Sequence, residues 1–435
     1  MRKIILLAML FWTIPAFAQR FSDNSDYTFA VKFLKTGFEM KKDNFVVSPL
    51  SVYFATTLLA NGAEGETLQE LSSILSAQNQ HNFDIQKTNE IVKNYMKQKS
   101  SQVEINNSIW GNQFLQDYTD FVQQELSAEP KKLPSSTSEI NKWVEEKTKG
   151  KIKDILPVKT PDNTALFLVN TIYFKDEWHN KLSFLEEQKF QSLDGRTDKV
   201  NMVGTQTVLN YYEDNLIQAV KLPYKNSDVM QILLPKKNID FNQFIKNLTP
   251  QYLSSIKYKG DLVRLRIPRF DIGIKINGMI SFYKKWGIKS AFEPRADFPK
   301  MSNISHYVDS IIHATNISID EDGSEASAAT VINMMLSSPG PGNVKKEKPI
   351  EPKIFTADRP FVFMINNGLF IGTYTKGSLV AKRGSQEVTE QNHPQKPSTN
   401  KYVRPRKPAS VTYNRSPAYN NKNQTRGGVS HIKRN

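Results

Sequence analysis

An α+β fold is predicted for this chain. Two observations carry the prediction: apolar residues recur at helical spacing mainly up to about Gly150, and the later apolar runs are short and continuous or alternating, as in strands. Helices first and strands later belong to the α+β class, not to an alternating α/β order. A third observation bears on size. The chain has 435 residues and no Cys, so packing alone, with no disulfides, must hold a large core.

Taken in order, residues 1–18 combine Arg2 and Lys3, an apolar run from Ile4 to Ile14, and Ala16-Phe17-Ala18, which is the pattern of a secretory signal with the mature chain starting at Gln19. The apolar run is too short to span a bilayer. Ser48-Pro49 predicts a capped helix start and Asn61-Gly62 a left-handed stop. Thr67-Leu68-Gln69-Glu70 reads as a capping box for the next helix. Ile140, Trp143, Val144 and Lys147 share a helix face that ends near Gly150. Ala165–Phe174 is a near-continuous apolar strand, Val263–Ile267 alternates as a half-buried one, and Ile311–Ile319 is strand-like. Pro360–Ile365 and Leu369–Tyr374 form a hairpin over Asn366-Asn367-Gly368.

After the Ile311–Ile319 strand comes Asp320-Glu321-Asp322-Gly323-Ser324-Glu325-Ala326-Ser327-Ala328-Ala329-Thr330. From Ser324 to Thr330 only Glu325 is large, and no Pro occurs before Pro339. Every backbone donor there is available to a sheet ladder, and Ser324, Ala326, Ala328 and Thr330 would face a crowded core at little steric cost. The segment suits a change of structure.

The formal net charge is +15. Residues 381–435 carry twelve basic side chains against Glu387 and Glu390, a net charge of about +10, with Pro394, Pro397, Pro405, Pro408 and Pro417 and no apolar periodicity. Such a tail is expected to be disordered: either a solvated extension or an electrostatic tether to glycosaminoglycan or another anionic surface. Sequons stand at Asn247, Asn303, Asn316, Asn414 and Asn423, Asn316 within an expected buried strand. The six His residues (His81, His179, His306, His313, His393, His431) show no metal-ligand spacing. No thiol nucleophile or phosphate loop is present. An enzyme is not expected, nor a cofactor or metal.

Asn44-Phe45-Val46-Val47-Ser48-Pro49-Leu50-Ser51, Leu168–Lys175 with Trp178, Pro268-Arg269-Phe270, Ala296-Asp297-Phe298, Arg359-Pro360-Phe361 and the small-residue segment together resemble the serpins, in the order and spacing of that family. The resemblance covers about residues 25–380. It implies a domain over 19–380 with three β-sheets, about nine helices and an exposed reactive-centre loop over about residues 321–357. It further implies a secreted, extracellular suicide substrate. A serine protease attacks the loop, and the cut loop inserts as a strand into the central sheet before the acyl-enzyme can hydrolyse.

By the same resemblance the insertion hinge is Glu321, Gly323, Ser324, Ala326, Ala328, Ala329 and Thr330. A buried polar cluster (the shutter) contains Ser48, Ser51, Asn170 and His313, and Trp178 marks the breach where the loop enters. Counting the family's span of about 17 residues from Glu321 reaches Ser337, one past Leu336, with Ser338 and Lys345 as further scissile-bond candidates. Lysines later in the loop are disfavoured, because each added residue leaves ~3.3 Å of slack and Pro339 and Pro341 cannot enter a central strand. The expected partners are a serine protease, in a covalent acyl complex with a monomeric inhibitor, and glycosaminoglycan through the tail or the Lys93, Lys97 and Lys99 surface. No nucleic-acid partner is expected. The alternative is a non-inhibitory carrier or storage protein of the same fold.

Overall fold

A computed structural model describes residues 27–76, 83–97, 102–276, 278–324 and 351–380. These lie in one compact unit ending at Arg383; the second unit, Gly384–Asn435, falls outside the described residues. So do the signal segment, Ala326, Ala328, Ala329 and Thr330 of the hinge, and the candidates Leu336, Ser337, Ser338 and Lys345.

Nine α-helices form among the described residues. They are α1 (Tyr27–Lys41), α2 (Pro49–Gly62), α3 (Gly65–Leu75), α4 (Ile85–Lys97), α5 (Gln116–Gln124), α6 (Ser138–Lys147), α7 (Phe241–Asn247), α8 (Pro250–Ser255) and α9 (Met279–Lys285). The first strands are β1 (Phe45–Val47), β2 (Val103–Gly111), β3 (Glu129–Lys132), β4 (Ala165–Phe174), β5 (Asp176–Glu177) and β6 (Ser183–Gln191). Next come β7 (Thr197–Glu213), β8 (Ile217–Pro223), β9 (Val229–Pro235), β10 (Lys259–Pro268) and β11 (Phe270–Ile276). β12 (Tyr307–Ile319), β13 (Gly323–Ser324), β14 (Lys353–Thr356), β15 (Phe361–Ile365) and β16 (Phe370–Tyr374) complete the set.

Three sheets result. One has nine strands, in the order β1-β16-β15-β9-β8-β7-β10-β14 with β6 on β7. The second has five, β11-β12-β4-β2-β3, and β13 with β5 makes a two-stranded piece.

The strand predicted at Ala165–Phe174 is buried at every position. Its alternate residues explain the continuous apolar run: Leu166, Leu168, Ile172 and Phe174 enter the main core, while Ala165, Phe167 and Val169 join Trp143, Val144 and Ile312 on the other face. Beneath it lies α2, buried at every position but Asn61 and packed against β2, β4 and β16. The predicted hairpin is present as β15 and β16, with Asn366 and Asn367 both left-handed (φ 46 and φ 55), as a tight turn between twisted strands requires.

Two predicted helix ends are corrected. Helix α2 does end at Gly62, but through an extended Ala63 (φ −93) rather than a left-handed residue, and Gly62 is needed for space: a Cβ there would lie 2.5 Å from Met301 Cε. Thr67 and Glu70 are no capping box, since α3 starts earlier, with Glu64 before it and no side-chain cap. Both side chains serve tertiary contacts. Thr67 Oγ1 accepts from Asp297 N, and the Glu70 carboxylate accepts from Lys289 N, Ser290 N and Ser290 Oγ.

Candidate functional site

Strands β4 and β12 run side by side and parallel, from Tyr307 opposite Ala165 to Asn316 opposite Tyr173. The five-stranded sheet is therefore closed at this seam, and the shutter residues sit on it. His313 and Asn170 are register partners across it. His313 Nε2 accepts from Ser48 N at 3.0 Å, so Nδ1 carries the proton and donates to Asn170 Oδ1 at 2.6 Å. Asn170 Oδ1 also accepts from Ser51 Oγ (2.7 Å), and Ser51 N donates to Ser48 Oγ, the cap of α2. All four predicted residues meet here, each at most 1% exposed.

A fifth member was missed by sequence reasoning. Asn170 Nδ2 donates to Asn107 Oδ1 at 2.7 Å, and Asn107 lies opposite Asn170 on β2. The available signal was an Asn inside an apolar strand, a placement that strands disfavour unless the amide is satisfied. Burial pushes the His313 imidazole down to about 3, so it stays neutral and singly protonated.

The upper end of the seam is closed by the start of the hinge. Asp320 Oδ1 accepts from Asp322 N and Gly323 N, and Asp320 N donates to Gly323 O; together they fold the chain back after β12. Glu321 pairs with the buried Arg269 at 3.2 Å, and Asp322 with Lys181 at 2.7 Å. Gly323 and Ser324 then pair antiparallel with β5, which continues β4 after Lys175. Gly323 is required there: its φ is +153 and a Cβ would lie 2.2 Å from Asp176 O.

Trp178 organises this corner. Its Nε1 donates to Asp320 O at 2.9 Å, its backbone N donates to Asp322 O, and its ring stacks on Tyr224 with centroids 4.3 Å apart. The Tyr224 hydroxyl bonds Ser324 Oγ at 2.7 Å, and both side chains are buried. Tyr224 and Arg269 also escaped the site prediction, although Arg269 stands in the Pro268-Arg269-Phe270 motif; nothing local marks Tyr224. On α4, Lys93 is paired with Glu125, Lys97 is exposed and Lys99 falls outside the described residues. Asn316 is half-buried, with its amide donating to Asp271 Oδ1 at 2.8 Å.

A closed parallel seam, a buried polar cluster bonded across it, and Gly323-Ser324 turned back onto β5 at its head make up the site. The serpin (serine protease inhibitor) family model matches residues 24–376, and the chain belongs to that family. Among its relatives, an uncharacterized serpin-like protein of Thermococcus kodakarensis is 29% identical over 341 residues, covering 74% of this chain and 77% of the relative. Human Serpin B13 is 28% identical over 387 residues, covering 78% and 95%. The crystal structure of the thermophilic serpin Tengpin in the native state is 30% identical with a TM-score of 0.70, covering 82% of this chain and 94% of that one. Native protease nexin-1 with heparin, 21% identical with a TM-score of 0.68, shares the fold.

Proposed function

We propose that this chain is a secreted inhibitor of serine-type endopeptidases, consumed once per protease, whose loop inserts between β4 and β12 after cleavage. One observation carries the reading. Gly323 and Ser324 already lie antiparallel to β5 at the head of the seam, with Ser324 fully buried. A strand continuing from them would be antiparallel to both β4 and β12. It would exchange one parallel ladder for two antiparallel ones, the better-bonded pairing. The small side chains next in sequence, Ala326, Ala328 and Ala329, lose almost no rotamer freedom on burial. Cleavage falls after Leu336 or Ser337 on this reading, and the basic tail supplies salt-dependent attachment to anionic polysaccharide. Secretion rests on residues 1–18.

Mixing with a panel of serine proteases should yield a complex that survives SDS, and mass spectrometry of the released loop fragment should identify the bond. Ser324→Arg should leave a plain substrate, since Ser324 is fully buried against Tyr224 and an arginine there overpacks the site that the inserting strand must occupy. If Ser324→Arg traps protease as well as the parent, or if loop cleavage leaves the melting temperature unchanged, insertion is not the mechanism and the non-inhibitory carrier reading takes its place.

A further inference from the structure

Two buried histidines stand on the β4–β12 seam, and their surroundings ask for different charges. His313, in its middle, has one donor and one acceptor as neighbours, which a neutral ring satisfies. His306 lies just before β12 and is 1% exposed. Its Nδ1 lies 3.0 Å from Thr164 O and its Nε2 2.8 Å from Asn112 O. Both neighbours are carbonyl oxygens, which only accept. A neutral imidazole carries one N–H, so in either tautomer a bare ring nitrogen faces a carbonyl lone pair at hydrogen-bond distance. The ring with two protons has a donor on each side and satisfies both carbonyls.

The three groups belong to three strands. Asn112 follows β2, Thr164 precedes β4 and His306 precedes β12, so the ring spans the foot of the seam, at the end away from Trp178 and the hinge. Beside it, Tyr307 N donates to Thr164 O at 3.2 Å, and Tyr307 and Ala165 are the first register pair of the two strands. Ser302 Oγ donates to Gln113 O at 2.8 Å, and the Phe114 ring lies 6.3 Å from the imidazole. The neighbouring Asn163 and Ser305 are exposed, which leaves a short way for a proton from solvent. Of the titratable groups around the corner, Asp162 has its Oδ1 taken by Thr164 N and Oγ1, Asp309 pairs with Lys159, and Lys300 pairs with Glu64. Asp117 and Asp120 are exposed on α5, and burial keeps the phenols of Tyr118 and Tyr307 neutral.

We propose that His306 is a proton-dependent clip at the foot of the seam, which a second proton on the imidazole closes onto Thr164 and Asn112 together. Two carbonyls hold that proton in the folded chain and none in the unfolded chain, so the clip adds stability in mild acid and loses it as the pH rises. Middle and foot of the seam thus answer acid with opposite signs. Where the inhibitory reading holds, a strand continuing from Ser324, opposite Asp176, reaches the level of Ala165 about ten residues further on, at ~3.3 Å each. The foot is then the last part to open, and mild acid slows the completion of insertion and not its start.

The test needs no protease, so a failure of the inhibitory reading leaves it standing. The full chain is compared with His306→Gln and His306→Leu, neither of which can take a second proton, by urea unfolding at pH 8 and pH 6. His313 and the carboxylates are common to all three and cancel. The folding constant of the parent relative to either variant should rise about 5-fold from pH 8 to pH 6. A ratio that stays constant or falls overturns the proposal. Should neither variant fold, the parent alone supplies a second measurement, by nuclear magnetic resonance of isotope-labelled nitrogen in its histidine rings. The imidazole in through-space contact with Phe114 should carry a proton on both nitrogens at pH 6 and lose one as the pH rises. A bare nitrogen on that ring at pH 6 overturns the proposal as well.

Discussion

Acid should loosen the seam through one residue, His313. Its Nε2 is committed to accepting from Ser48 N, and its Nδ1 proton to Asn170 Oδ1, so a second proton would set two N–H groups against each other in a fully buried site. Burial holds the folded imidazole down to about 3, against about 6.5 in an unfolded chain. Proton binding sets the sign. Between these values the unfolded chain binds a proton that the folded chain refuses. The contribution is therefore complete above about 6.5 and is lost as the pH falls from there toward 3. From pH 7.5 to pH 5 the loss is roughly 2 kcal/mol, below the limiting slope of ~1.4 kcal/mol per pH unit because titration has only begun near 6.5. The comparison is His313→Gln, which keeps a donor and an acceptor but cannot titrate. Urea unfolding of both proteins at pH 7.5 and pH 5, read at the first transition, cancels the carboxylates common to both. The parent should lose about 2 kcal/mol more than the variant. An equal loss in the two proteins would refute the argument that His313 must stay neutral for the seam to close.

Tyr224→Phe keeps the stack on Trp178 but removes the bond to Ser324 Oγ; it should lower native stability by about 1 kcal/mol and speed loop insertion in stopped-flow fluorescence of Trp178. Glu321→Lys sets two cations together where Arg269 is nearly inaccessible, and a loss of about 3 kcal/mol should appear in denaturant melts. Gly323→Ala forces a Cβ against Asp176 O and should slow trapping more than it slows cleavage, measured as a rising ratio of cut chain to complex. Removing residues 381–435 should leave the melting temperature and trapping unchanged while abolishing most low-salt retention on heparin; a truncated chain that unfolds or is retained equally would reassign the tail.

Where the signal was local, the sequence was a good guide. The ten buried positions of β4 are a visible apolar run, and the hairpin turn is carried by Asn366 and Asn367, residues that tolerate positive φ. The lock residues Ser48, Ser51, Asn170 and His313 came from family resemblance, and they meet because α2, β4 and β12 converge. The features that escaped depend on long-range geometry. Thr67 and Glu70 have the spacing of a capping box, but Asp297 and the Lys289-Ser290 backbone claim their side chains from more than 200 positions away. Tyr224 meets Ser324 only because β8 ends beside Trp178.

Lock and starter sit on different parts of the seam, and that separation matters for how the sheet opens. The Asn170–His313 bond crosses the seam directly, so any widening that admits a strand must break it and leave the His313 Nδ1 proton without its acceptor in a dry interior, while Asn170 keeps Ser51 and Asn107. Losing that bond raises the barrier to opening whether or not a loop is ready to enter. Ser324 and Gly323 act differently. They are already bonded at the head of the seam, so in the proposed mechanism altering them leaves the lock intact and changes only the strand insertion that would follow its release. Lock variants should therefore change the rate of every process that parts β4 from β12, heat and acid included, while variants at Gly323 and Ser324 should alter only the division between trapped and released protease. A change of acid sensitivity in a Gly323 or Ser324 variant would show that lock and starter form a single cooperative unit instead of two.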